Sequence, residues 1–191
     1  MTITHLVGSV PLENAESVFR TVGGALGSRL LRITDGETGR RKRWIGFVGD
    51  QLADHPDLEV DPDEPVYKFH QWDGVVVFEI EQLRFRAGVD PKKVEFATGY
   101  ADDAIRSFEI FDRLQGEGVI PAGVKYQICS ATPMAISIMY IAPGSRAAFT
   151  ECYTRHLLGE LKRITEALPH DRISYQWDVC QEVLMWEGYF D

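Results

Sequence analysis

Short apolar, β-prone runs recur along this chain, each followed by a turn rich in Gly, Ser, Asp or Thr and then by a segment with helical spacing. Residues 3–7 end at Gly8-Ser9, and residues 11–26 then place Ala15, Val18, Phe19 and Val22 on one face. Residues 30–33 end in Thr34-Asp35-Gly36-Glu37, and residues 40–53 follow as a helix with Trp44, Phe47, Val48 and Leu52 on one side. After a break the rhythm resumes. A helix is predicted over 102–114 (Ile105, Phe108, Ile110, Phe111, Leu114), a strand over 124–129 ending at Ser130-Ala131-Thr132-Pro133, a long helix over 145–168, and a strand over 173–179 carrying Trp177-Asp178. Alternation of this kind implies parallel βαβ units. In a parallel barrel the C-terminal strand ends form the active face. Ser9, Glu37, Thr132 and Asp178 are therefore expected at one rim.

The break spans about residues 54–95. Its first part, 54–66, is rich in Asp, Glu and Pro, which marks a surface loop. Residues 66–70 and 75–85 are β-like and are separated by Gln71-Trp72-Asp73-Gly74, a hairpin signal. The expected fold class is α/β: residues 1–191 as a single N-terminal half-barrel domain, a partial (β/α)8 TIM-type barrel of about four βα units with an inserted β-hairpin. The 191 residues can bury one core but fall short of the ~250 typical of a complete barrel.

The formal net charge of -9 makes nucleic acid and anionic membrane poor partners. No uncharged apolar run approaches the ~20 residues needed to span a bilayer; the longest, 134–142, is far too short. Cys129, Cys152 and Cys180 are odd in number and widely spaced, which gives no disulfide framework and points to reduced thiols in a cytoplasmic protein. The opening MTITHLVGSVP lacks the basic-then-apolar pattern of a secretory signal.

Each candidate residue has a functional and an ordinary reading. Gly8-Ser9 can bind a carboxylate or phosphate through backbone N–H groups and the Ser hydroxyl, or can be a turn with a helix cap. Asp35 and Glu37 can hold a substrate ammonium or do acid–base work, or can simply meet a helix dipole. Arg40-Arg41-Lys42-Arg43 is the one basic run; it can steer an anionic substrate or form a solvated helix face. A partly buried Asp178, flanked by Trp177, needs a cation, which either a substrate ammonium or a neighbouring arginine supplies. Glu182 reads as structural. No His or Cys pair has a recognised metal-ligand spacing, and no P-loop, G-x-G-x-x-G or G-x-S-x-G occurs.

These motifs resemble those of the cobalamin-independent methionine synthases. His5-Leu6-Val7-Gly8-Ser9-Val10-Pro11 is similar to the opening strand of that catalytic barrel, and Asp35-Gly36-Glu37 to its next strand end. Ala131-Thr132-Pro133 resembles the family's Thr-Gly-Pro turn, and Gln176-Trp177-Asp178 with Glu182 resembles its Gln-Ile-Asp-Glu-Pro strand. The stretch from Arg32 to Arg41, with Gly118-Val119-Ile120-Pro121, is also similar to bacterial proteins of the wider uroporphyrinogen decarboxylase and methionine synthase superfamily.

The resemblance implies that Val7, Gly8 and Ser9 contact an amino acid carboxylate and that Glu37 and Asp178 hold its ammonium. It implies a zinc ion, with its His, Glu and two Cys ligands outside this chain, that activates a thiol, and a methyl-folate donor. It also implies either further sequence or a second copy to close the half barrel. The expected function is a methionine-synthase-like methyltransferase domain binding a small-molecule amino acid or thiol at the barrel rim. Two other readings stand beside it: a metal-independent lyase or decarboxylase in which Arg40, Arg41 and Arg43 bind carboxylates, and a non-catalytic binding or assembly module.

Overall fold

A computed structural model describes residues 2–188. The elements in order are α1 (Ala15–Leu26), β1 (Arg32–Thr34), α2 (Gly46–Ala53), β2 (Leu58–Val60), β3 (Tyr67–His70), β4 (Val76–Ile80) and β5 (Leu83–Phe85). They continue with α3 (Tyr100–Gly116), β6 (Lys125–Ala131), α4 (Pro133–Tyr140), α5 (Pro143–Ala167), β7 (Ile173–Asp178) and α6 (Cys180–Trp186). The fold is α/β with helices and sheets mixed, and its strands fall into three separate sheets with no closed barrel among the described residues. No described helix is long and apolar enough to cross a membrane.

The chain divides into two compact units. Unit one comprises Met1–Phe47, Gly99–Ser130 and Leu158–Asp178. Its sheet has the order β1-β6-β7, and β1 runs parallel to β6 with Ile33 opposite Tyr126 and Thr34 opposite Gln127. Asn14 caps α1 by accepting the Ser17 N–H at 2.9 Å, and Gly27 ends the helix at φ 45°. The buried face of α1 carries Val18, Phe19 and Val22, and α3 contributes Phe108, Phe111 and Leu114 to the same core. Phe19, Phe111 and Tyr126 meet with ring centroids 5.8–6.0 Å apart, so three large rings from two helices and a strand share one centre. Alternation along β6 turns Tyr126 and Ile128 to these helices, which leaves Gln127 and Cys129 on the opposite face.

Unit two comprises Val48–Thr98, Ala131–Leu157 and Val179–Asp191. Here β2 pairs antiparallel with β5, and β3 pairs antiparallel with β4 through a bulge between Phe69 and His70. Phe96, Phe149 and Tyr153 form its aromatic cluster, with centroids 5.2–5.5 Å apart. The β3–β4 hairpin is largely solvated: Val75, Val76, Val77 and Phe78 are exposed, and Trp72 at its turn is 95% exposed.

Several boundaries differ from those read in the sequence. The run 3–7 makes only a parallel bridge between Thr4 and Leu30, because the segment ahead of Gly8 is too short and exposed to form a ladder. The expected helix over 40–53 splits into a 3-10 turn, Gly39–Arg43, and α2, with Trp44 at φ 52° between them. The insertion holds the expected hairpin and also the β2–β5 pair. Two helices went unforeseen: α4, whose apolar residues show no one-sided period, and α6, which starts directly after the Asp178 strand.

Replacing the fully buried Phe111 by Ala is expected to destabilise the protein by about 3–5 kcal/mol through cavity formation. Trp72→Ser should change stability by less than about 0.5 kcal/mol. Urea unfolding of both variants measures the contrast.

Candidate functional site

The turn after β1 is built around a buried carboxylate. Asp35 is 2% exposed and accepts hydrogen bonds from Ser107 Oγ at 2.7 Å, Tyr126 Oη at 3.1 Å and the Glu37 N–H at 3.0 Å, and it is ion-paired with Arg41. Thr34 Oγ1 accepts the Gly36 N–H at 3.1 Å. Gly36 sits at φ 77°, where an added Cβ would lie 2.7 Å from Val18 Cγ2, so this position needs glycine on two counts. Glu37 follows at φ 49°, an uncommon conformation for a residue with a side chain. Two successive left-handed residues turn the Glu37 carboxylate back to Gly8 and Ser9, where Ser9 Oγ donates to Glu37 Oε2. A Cβ on Gly8 would lie 2.9 Å from that same oxygen, so glycine permits the close approach.

The end of β7 supplies the second carboxylate. Asp178 accepts from Gln176 Nε2 at 2.7 Å and from Trp44 Nε1 at 3.3 Å. Gln176 also donates to the Val7 carbonyl at 2.5 Å and accepts from Gln127 Nε2 at 3.0 Å. The Cys129 thiol donates to the same Val7 carbonyl at 3.2 Å. Strand-borne amides thus fix the N-terminal segment beside the two carboxylates.

Burial raises the pKa of Glu37, and the negative charge of Asp178 pushes it the same way against the Ser9 hydrogen bond and the Arg41 charge. Burial also raises Asp178, opposed by its hydrogen bonds from Gln176 and Trp44. Among the described residues neither carboxylate forms an ion pair; each is held by neutral donors alone. The result is two carboxylates near enough for the charge of Asp178 to act on Glu37, neither of them ion-paired. Burial pushes the Cys129 thiol up to about 12, so it is protonated and unreactive at neutral pH.

The other expected site residues have different roles. Asp35 and Arg41 neutralise each other in the interior, and Arg41 also pairs with Asp103 at 3.4 Å, so neither is free to bind substrate. Arg40 pairs with Asp103 at 2.6 Å and lies 5.0 Å from the centroid of the Phe47 ring. Arg40, Lys42 and Arg43 are solvent-exposed, as a solvated face requires, whereas Arg41 is buried in its ion pair. Trp177 packs beside Tyr175 at 5.0 Å, and strand alternation places it opposite the face of Gln176 and Asp178. Val7 contributes its carbonyl to the scaffold while its side chain is exposed. Thr132 belongs to unit two, where it caps α4 by accepting the Ala135 N–H at 3.1 Å and donates to Glu182. Gln127, Cys129 and Trp44 also belong to the constellation, although no local sequence signal points to them.

Among the described residues no group of three or more His, Cys, Asp or Glu side chains can hold a metal ion. The zinc ligands implied by the resemblance lie outside this chain. Compared with known proteins, the chain matches no family model, no curated protein and no solved structure.

Because Glu37 and Asp178 are raised in the folded state, folding favours their protonated forms. Their contribution is complete below the unfolded values near 4 and is lost as pH rises through the folded values. Glu37→Gln, which keeps an accepting oxygen for the Ser9 hydroxyl, should therefore raise the midpoint temperature at pH 7 by about 2–4 °C, with the gain disappearing near pH 4. Asp35→Ala should instead cost about 3–5 kcal/mol by leaving Arg41 buried without its partner. Calorimetry across pH separates the two behaviours.

Proposed function

We propose that unit one is an amino acid binding site of the methionine-synthase type, carried on a partial (β/α) barrel. The observation that carries this reading is the pair Glu37 and Asp178: two partly desolvated carboxylates, brought together by a strained turn and a strand end, with neutral donors only. A primary ammonium supplies what the pair lacks, namely a positive charge and three N–H donors. Its arrival replaces the water lost on burial and favours the ionised form of both carboxylates. Parallel β1 and β6 and the parallel Thr4–Leu30 bridge agree with a barrel segment.

The chain's own residues bind and orient. Ser9 and Gln176 hold the carboxylate oxygens, Gly8 allows the backbone to lie against Glu37, and Gln127 and Gln176 anchor the Val7 carbonyl. In a methyl transfer of this class a zinc ion supplies thiolate from a thiol, and a methyl-folate supplies the methyl group. Among the described residues no group of three or more His, Cys, Asp or Glu could hold that metal. The ion pairs of Arg40 and Arg41 favour amine binding over the lyase reading, which has Arg40, Arg41 and Arg43 bind substrate carboxylates.

Calorimetric titration with homocysteine and methionine at pH 7.5 tests the proposal. Binding is expected, and Asp178→Asn or Glu37→Gln should weaken it about 10- to 100-fold by removing a charge-assisted hydrogen bond. Affinity should fall as pH drops through the raised carboxylate values. A des-amino analogue, 4-mercaptobutyrate, should bind no better to the wild type than to either variant. Equal affinity for amine and des-amino ligands would sink the proposal.

A further inference from the structure

We propose that unit two holds a separate site, at the C-terminal end of α2, for a small primary amine carrying a flat aromatic ring. The cleft there has a volume of about 290 Å³, at the lower end of the range for small-molecule sites. Leu52, His55 and Phe96 give its lining apolar and aromatic surface, and Gln51, Asp54 and Thr98 are its polar members. The His55 and Phe96 rings lie 5.2 Å apart and tilted by 47°, which makes a fixed aromatic corner.

The polar groups decide the ligand, because those left uncommitted are acceptors: the Asp54 carboxylate and Gln51 Oε1. His55 Nδ1 accepts the Asp57 N–H at 3.2 Å, which leaves Nε2 to donate to the Glu95 carbonyl at 2.9 Å, so the neutral ring has nothing left to offer. Thr98 Oγ1 is bonded to His156 Nε2 at 2.7 Å. Gln51 Nε2 donates to the Ala97 carbonyl at 3.3 Å, and its Oε1 is buried without a hydrogen-bond partner, an acceptor suited to an N–H donor. Asp54 is exposed, and among the described residues its carboxylate has neither a hydrogen bond nor an ion pair. A concave apolar surface with one uncommitted, acceptor-only charge selects an apolar body with a cationic head. Asp57 and Glu95, contributed by the same segments, turn anions away. The ring lies against Phe96 and His55, and the ammonium reaches Asp54 at the rim.

Amide chemical-shift titration of the whole chain with millimolar phenethylamine tests this site. Saturable shifts should appear at residues 48–56 and 96–98, with affinity falling from phenethylamine to 2-phenylethanol to 3-phenylpropionate. Asp54→Asn should weaken phenethylamine roughly fivefold and leave 2-phenylethanol unchanged. Ala97→Trp, at an exposed position of the lining, should abolish binding of all three while the remaining spectrum keeps its native dispersion. Glu37→Gln with Asp178→Asn should leave these shifts intact, which separates this site from the one in unit one. Absence of saturable shifts at these residues, or phenethylamine affinity unaltered by Asp54→Asn, overturns the proposal.

Discussion

The ion pair between Asp35 and Arg41 governs the geometry of unit one. Both groups are more than nine-tenths buried, and each is costly to bury alone. Asp35 meets that cost by gathering donors from three directions: the following turn, α3 through Ser107, and β6 through Tyr126. One carboxylate thereby ties the helix layer to the sheet and dictates the backbone path into Glu37. The left-handed φ of Glu37 is unfavourable by itself, and the Asp35-held N–H is what keeps it in place. The acidic pair is thus maintained by a third carboxylate, Asp35, that is almost wholly shielded from solvent.

That division of labour explains which parts of the site could be read in the sequence. Gly8, Ser9, Glu37 and Asp178 could be singled out because each closes an apolar, β-prone run, although the run ahead of Gly8 makes only a bridge. Asp35 was singled out with Glu37, yet residue type could not tell the neutralised carboxylate from the unneutralised one. The difference lies in Arg41, Ser107 and Tyr126, and the latter two are 72 and 91 residues away in sequence. Arg40 and Arg41 were opaque for the same reason, since Asp103 sits on a different element. Gln127 and Gln176 join across 49 residues, and a polar residue inside a strand gives no local sign of its partner.

The fold was legible to a similar depth. α1, α3, α5 and strands β1, β6 and β7 announced themselves through apolar spacing, with ends displaced by a few residues. The uniformly apolar residues of α4 carry no moment to read, although Thr132 and Pro133 form a helix start by their chemistry. β2 was hidden because Leu58 is the single buried residue in an otherwise acidic stretch.

The β3–β4 hairpin has a bearing on how this protein behaves in bulk solution. Its strands expose four consecutive apolar residues, Val75 to Phe78, next to backbone groups that no third strand occupies. Such an edge is adhesive toward its own kind. What opposes adhesion is the long-range repulsion between chains that each carry a formal charge of -9. Salt shortens the reach of that repulsion to about 10 Å at 0.1 M while leaving apolar contact untouched. Colloidal behaviour is therefore set by ionic strength acting on surface charge, and a dilute low-salt buffer is the medium in which single chains stay apart.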